Sequence, residues 1–202
     1  MGICYIVGAG EFHGSFTPED SDLVIAADGG YDSLKARGIR CDLLVGDLDS
    51  LTDAPSDVKT VTHPVEKDET DMHLAYLEGK ARGYNKFRIY GGVGGRADHT
   101  FANYCLLSYI RSEKNEAVLV GDGYDAFVIE NEATRVTGTP GYTISIFAFG
   151  GTARGVCVKG LYYELDNGEL TPSFPLGVSN HFTESECEIS VKDGALLIIR
   201  QI

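Results

Sequence analysis

Leu23-Val24-Ile25-Ala26-Ala27-Asp28-Gly29-Gly30 sets five apolar residues directly before an aspartate and a glycine pair, and a helical stretch over Tyr31–Arg37 follows at once, closed by Gly38. A buried strand handing over to a helix through glycine is the repeating unit of a parallel sheet, in which ligands gather at the carboxyl ends of the strands. The unit recurs along the chain. Apolar runs at Cys4–Val7, Leu43–Val45, Lys59–Val61, Phe87–Tyr90 and Ala117–Val120 mostly end in glycine or aspartate. Further helices are expected over Asp71–Arg82, opened by the N-cap Thr70 and ended by Gly83, and over Asp98–Arg111. Residues 1–120 therefore read as an α/β domain with a mainly parallel sheet flanked by helices.

From about residue 121 the pattern changes to alternation and turns. Strands are expected at Ala126–Glu130, Thr134–Thr137, Tyr142–Phe149, Gly155–Val158, Leu161–Leu165, Cys187–Val191 and Ala195–Ile199, with a hairpin turn at Asp166-Asn167-Gly168. Residues 121–202 read as an all-β, sandwich-like domain.

Composition narrows the partners. The chain has 202 residues, 43% of them hydrophobic, and a net charge of -13 without any basic run, which speaks against nucleic acid and for a cation or a metal-bound anion. Its five cysteines are scattered and never arranged as CxxC, so neither a disulfide framework nor a zinc site is encoded. No basic leader precedes Ile3–Val7, and no apolar run approaches the roughly 20 residues that span a bilayer. A soluble cytoplasmic protein without membrane contact is expected.

Carboxylates are gathered in three packets, Gly46-Asp47-Leu48-Asp49-Ser50, Lys67-Asp68-Glu69-Thr70-Asp71 and Gly95-Arg96-Ala97-Asp98. Asp47 and Asp49, two apart after an apolar strand, point the same way in extended geometry and can share one cation. Asp71 at a helix start is favoured by the helix dipole alone, but beside Asp47 and Asp49 it offers a third oxygen ligand for Mg²⁺. Gly91-Gly92-Val93-Gly94-Gly95-Arg96 joins a strand to a helix. Glycine there lets backbone approach a phosphate, and Arg96 supplies a planar fork for phosphate oxygens. Asp98 can cap the helix, pair with Arg96 or accept a substrate hydroxyl, and the three roles stay open. Gly8-Ala9-Gly10 with Gly14 has GxGxxxG spacing and Pro18 close behind, which leaves little room for a dinucleotide-binding helix. There is no GxxxxGK[ST] P-loop, and the five histidines lack HExxH spacing. The packets suit phosphoryl or pyrophosphoryl transfer.

Taken in order, Ala27-Asp28-Gly29-Gly30, Gly46–Ser50, Asp68-Glu69-Thr70-Asp71 and Gly94-Gly95-Arg96-Ala97-Asp98-His99 resemble the motif series of the thiamine pyrophosphokinase family, and Gly160-Leu161-Tyr162-Tyr163 with Gly177-Val178-Ser179-Asn180 extend the likeness into the β half. The resemblance implies transfer of a pyrophosphoryl unit from ATP to the hydroxyl of thiamine, giving thiamine diphosphate and AMP. It implies Mg²⁺ on Asp47, Asp49 and Asp71, phosphate on Arg96, and the reacting alcohol near Asp98. Asp28, Gly29, Gly30, Thr70 and Gly92 would lie by the nucleotide. A homodimer is implied, with thiamine near Tyr163, Ser179 and Asn180. Some members of the family carry tryptophan where this chain has Tyr163, and tyrosine offers a weaker π face to a cationic ligand. The alternatives are a Mg-dependent phosphohydrolase or nucleotidyltransferase acting on another small substrate, and a non-catalytic thiamine-binding protein.

Overall fold

The structure is a computed structural model that describes residues 2–46, 58–62 and 68–202. The described chain divides into two compact units, one running to Leu106 and including Lys114–Asp122, the other made of Leu107–Glu113 and Gly123–Ile202.

The first unit holds strands β1 Cys4–Val7, β2 Leu23–Ala27, β3 Leu43–Gly46, β4 Thr60–Thr62, β5 Lys86–Tyr90 and β6 Glu116–Gly121, in the order β4-β3-β2-β1-β5-β6. Every neighbouring pair in that row is parallel. β1 and β3 are buried at each position, as expected of strands covered on both faces. The helices are α1 Gly30–Ala36, α2 Asp71–Ala81 and α3 Ala97–Ser112, within one or two residues of the expected spans. Leu34 of α1 packs in a cluster with Tyr5, Val7, Val24, Ala26 and Leu44. α2 meets the sheet at Gly79, where a Cβ would stand 2.7 Å from Cys4 Sγ and 2.9 Å from Phe87 Cε1. From β1 the chain steps outward through β2, β3 and β4, then returns to lay β5 on the other side of β1. The order reverses between β1 and β5, which is where an open parallel sheet leaves a crevice for ligands.

The second unit contains β7 Tyr124–Glu130, β8 Ala133–Thr137, β9 Thr143–Lys159, β10 Leu165–Leu170, β11 Gly177–His181, β12 Glu186–Ser190 and β13 Asp193–Gln201. Its strands run in the order β7-β13-β9-β12-β8, with β10 and β11 also paired to β9, and these pairings are antiparallel. Ile144, Ile146, Val156, Phe182, Ile189, Leu196 and Ile198 form its core. Three expectations are corrected here. The two strands expected at Tyr142–Phe149 and Gly155–Val158 are one, because β9 runs on through Gly150 and Gly155, which take φ of 74° and 63° that glycine allows. Leu161–Leu165 is not a strand: Leu161 makes an isolated bridge to Phe182, and β10 begins at Leu165. Asn167-Gly168 is not a hairpin turn. With Asn167 at φ 50°, the pair sits inside β10 where the register to β9 shifts, so Asn-Gly serves a bulge.

No helix among the described residues is long and apolar enough to cross a membrane. The five cysteines are free thiols, and burial pushes those of Cys41 and Cys187 up to about 11.

Candidate active site

At the carboxyl ends of β1 and β2 a cleft of about 170 Å³ opens between Gly8, Ala9, Ala27 and Asp28 on the strand side and Thr70, Asp71, His99 and Asn103 on the helix side. Its floor depends on backbone meeting backbone. Gly8 N–H donates to Tyr90 C=O, Gly10 N–H to Gly91 C=O and Glu11 N–H to Val93 C=O, each at 2.8 Å. A Cβ on Gly8 would lie 2.7 Å from the Gly91 oxygen, and one on Gly91 only 2.3 Å from the Gly8 oxygen. Glycine is thus demanded by close approach of the two loops. No helix follows Gly8-Ala9-Gly10 before β2, which removes the dinucleotide geometry.

Asp28 carries the most informative strain in the first unit. Its φ is 48°, uncommon for a residue with a Cβ, and it is held there by its N–H donating to Val45 C=O at 2.8 Å and its C=O accepting from Tyr31 N–H at 3.2 Å. Its Oδ1 is buried without a hydrogen-bond partner. A carboxylate oxygen in that state is uncompensated until something positive or protic meets it. Gly29 is the N-cap of α1 and makes no side-chain cap bond, while Gly30 is buried with its α-carbon hard against β1.

Thr70 caps α2 as expected, its hydroxyl oxygen accepting from His73 N–H at 3.2 Å, and Asp71 is the acidic residue of the first turn. Burial lowers the pKa of His73, the nearby Glu69 carboxylate opposing the shift. Asp47 and Asp49, the other two members of the expected metal triad, lie outside the described residues.

Gly92 is a buried member of the glycine-rich loop, whose Gly91, Gly94 and Gly95 all have φ between 60° and 79°. Arg96 and Asp98 open α3 and engage each other: Arg96 Nη2 donates to Asp98 Oδ2 at 2.6 Å and Nε to Oδ1 at 3.2 Å, with both side chains mostly exposed. The Asp98 carboxylate also accepts from His99 N–H at 3.0 Å. These donors, the Arg96 guanidinium first, hold its pKa at about 2, below the ordinary 3.8. A depressed carboxyl contributes its ion pair fully above the ordinary value and loses it as pH falls through the depressed one. The Asp98 side-chain carboxyl carbon resonance should therefore stay flat from pH 4 upward, and a titration midpoint near 4 would show that the pair is not formed.

A roomier cleft, about 560 Å³, lies between Phe12–Pro18 and Arg37–Arg40, but it has no carboxylate and its arginines are committed. Arg37 stacks 4.1 Å over the Phe12 ring, and Arg40 donates to Asp42 and to the carbonyls of Pro18, Glu19 and Asp22. It braces the loop between β1 and β2. The smaller cleft is the one with chemistry.

In the second unit, Asn180 is buried and spans the backbone of Tyr163, its Oδ1 accepting from Tyr163 N–H at 3.0 Å and its Nδ2 donating to Tyr163 C=O at 2.7 Å. The clamp leaves the Tyr163 ring 64% exposed and edge-on to Tyr162, which in turn stacks on His181 at 4.6 Å. Ser179 sits at φ 58° with its N–H donating to Ser145 Oγ at 3.1 Å. Removing the clamp in Asn180→Ala strands two polar backbone groups, so a loss of about 1–3 kcal/mol is expected in urea denaturation. An unchanged midpoint would deny the clamp.

Residues 17–119 match the family model described as thiamin pyrophosphokinase, catalytic domain. The chain belongs to the thiamin pyrophosphokinase family. Residues 129–196 match the model for the thiamin pyrophosphokinase vitamin B1 binding domain. Thiamine pyrophosphokinase of Bacillus subtilis (strain 168) is 27% identical over 201 residues, covering 90% of this chain and 88% of that protein. The crystal structure of thiamine pyrophosphokinase from Bacillus subtilis superposes with a TM-score of 0.87 over 98% of each chain at 24% identity. That of thiamin pyrophosphokinase from Geobacillus thermodenitrificans gives 0.84 over 99% of this chain and 97% of its own at 25% identity. The activity that goes with the thiamin pyrophosphokinase family is ATP:thiamine diphosphotransferase, and it is the activity of this chain.

Set against that activity, Asp28, Thr70 and Asp71 are brought together in one cleft, whereas Arg96 and Asp98 stand at the α3 start paired to each other. Among the described residues no group of three His, Cys, Asp or Glu side chains is placed to hold a metal ion. The unpartnered Asp28 oxygen and Asp71 do put hard oxygen donors in the cleft, which is the donor chemistry Mg²⁺ takes. Gly8, Ala9, Met72 and Asn103 also line it and were not singled out as site residues from the sequence. Asn103 was findable, since it falls one helical turn beyond His99 on the same face.

Proposed function

We propose that the cleft at the carboxyl ends of β1 and β2 receives the polyphosphate of ATP, with residues 1–120 as the nucleotide- and metal-binding domain and 121–202 as the thiamine-binding domain. The sheet is flanked by helices and the second domain is sandwich-like. The observation that carries the reading is the buried, unpartnered Oδ1 of Asp28 in the same cleft as Asp71. Asp71, with Asp47 and Asp49, would hold Mg²⁺, which would supply neutralisation of phosphate charge. Asp28, Gly29, Gly30, Thr70 and Gly92 lie along the nucleotide. Arg96 turns part of its fork from Asp98 to a phosphate oxygen, a geometry a point charge does not reproduce.

Asp98, ionised at all working pH values, is a weak proton acceptor and instead orients the thiamine hydroxyl in line with the β-phosphorus. Tyr163 lays its exposed ring against the cationic vitamin, with Ser179 beside it and Asn180 fixing the backbone of Tyr163. The assembly is a homodimer in the cytoplasm, and a charge of -13 speaks against a nucleic-acid partner. The test is one incubation of the protein with ATP, Mg²⁺ and thiamine, with products separated by chromatography. AMP rising in step with thiamine diphosphate is expected. Release of phosphate or pyrophosphate without an acceptor, or binding of thiamine with no turnover, would overturn it.

A further inference from the structure

We infer that Asn103 is a positioning residue for the pyrophosphoryl transfer, acting through the glycine-rich loop; the inference rests on the functional reading above. The side chain is 5% exposed, an unusual place for an amide. Its Nδ2 donates to Gly92 C=O at 2.7 Å, across eleven residues of sequence, from a side chain that lines the cleft to the glycine-rich loop. Gly92 has no slack of its own. A Cβ there would stand 2.6 Å from Leu119 Cδ1, 3.2 Å from Ile89 Cγ2 and 3.3 Å from Asn103 Nδ2, so the loop is wedged between the sheet below and the amide above.

Asn103 lies on α3, the helix that Arg96 caps by its carbonyl accepting from Thr100 N–H at 3.0 Å. The bolt therefore ties the glycine-rich loop to the helix whose start carries Arg96 and Asp98. Loss of the donor lets loop and helix drift relative to each other, and a displacement of about 1 Å in a positioning element lowers a rate by about 100-fold.

The experiment compares Asn103→Leu, Asn103→Ala and Gly92→Ala with the unmodified chain. Asn103→Leu keeps the branched shape and has no donor, so the site stays filled while the bond to Gly92 is lost. Expected for Asn103→Leu and Asn103→Ala is a kcat per folded molecule down about 100-fold with the KM for thiamine within about 3-fold of the original. Gly92→Ala moves the same loop from the other side and should give a similar loss. Combined with Asn103→Ala it should lose little more than the larger single change, since both act on one displacement. Should Asn103→Ala fail to fold by circular dichroism, Asn103→Leu and Gly92→Ala carry the comparison. A kcat for Asn103→Leu within about 3-fold of an active parent overturns the inference, as do losses that multiply in the double variant. An unmodified chain that makes no thiamine diphosphate fails the functional reading instead.

Discussion

Asp71→Asn should lower thiamine diphosphate formation by about 10²–10³-fold at any Mg²⁺ concentration while the protein melts within a few degrees of the parent. The activity side of that expectation comes from position. Asp71 lies in the first turn of α2 and lines the cleft with Asp28, whose Oδ1 is unpartnered, so replacing it takes a full negative charge from the point where, on the proposed reading, cation and polyphosphate meet. The stability side comes from the same place. At a helix N-terminus an aspartate contributes only about 0.3–1 kcal/mol through the dipole, and the Thr70 cap remains to close the helix. Turnover per folded molecule and far-UV circular dichroism are measured on one preparation. Collapse of the folded signal would make Asp71 a structural residue, and retained turnover would remove it from the metal.

Gly30→Ala should act in the opposite sense, on the fold before the chemistry. The added Cβ would stand 1.9 Å from Val7 C=O oxygen, 2.6 Å from its carbon and 3.1 Å from the Gly8 carbonyl carbon, all backbone of the central strand and its exit. None of those atoms can rotate away, so α1 must shift off the sheet at a cost on the order of 3 kcal/mol. Gly38→Ala is the control. Gly38 has open space around it but a φ of 64°, so only the backbone preference is lost, about 1 kcal/mol. Urea midpoints that rank the two variants equally would mean that close approach to β1 is not what selects glycine at 30.

The parallel half was largely legible because its physics is local. Leu23–Ala27 and Leu43–Gly46 are uninterrupted apolar runs that leave only a strand buried on both faces, and Thr70-Asp71 is a cap followed by its helix. The second unit was less so, since its strands are decided by partners distant in sequence. Asn167-Gly168 supplies the positive φ of a hairpin turn, but the long neighbour β9 recruits it as a bulge. Gly150-Gly151 reads as a break, yet β9 passes through and exchanges β13 and β11 for β12 and β10 as neighbours. Gly177–His181 lacks an apolar alternation and earns its strand by pairing with Thr143–Ile146. At the site, carboxylates announce themselves in a sequence, whereas Asn103 matters through one bond to Gly92 that spacing along α3 hints at without specifying.

The placement of β13 bears on how the protein is made. Asp193–Gln201 lies between β7 and β9, bonded to both, so the plank the antiparallel half closes around is translated only after both of its neighbours. Until it emerges, β7 and β9 each present an open rim able to recruit a foreign strand. A chain lacking Asp193–Gln201 would bare the apolar residues Ile144, Ile146 and Ile129 and be marked for proteolysis.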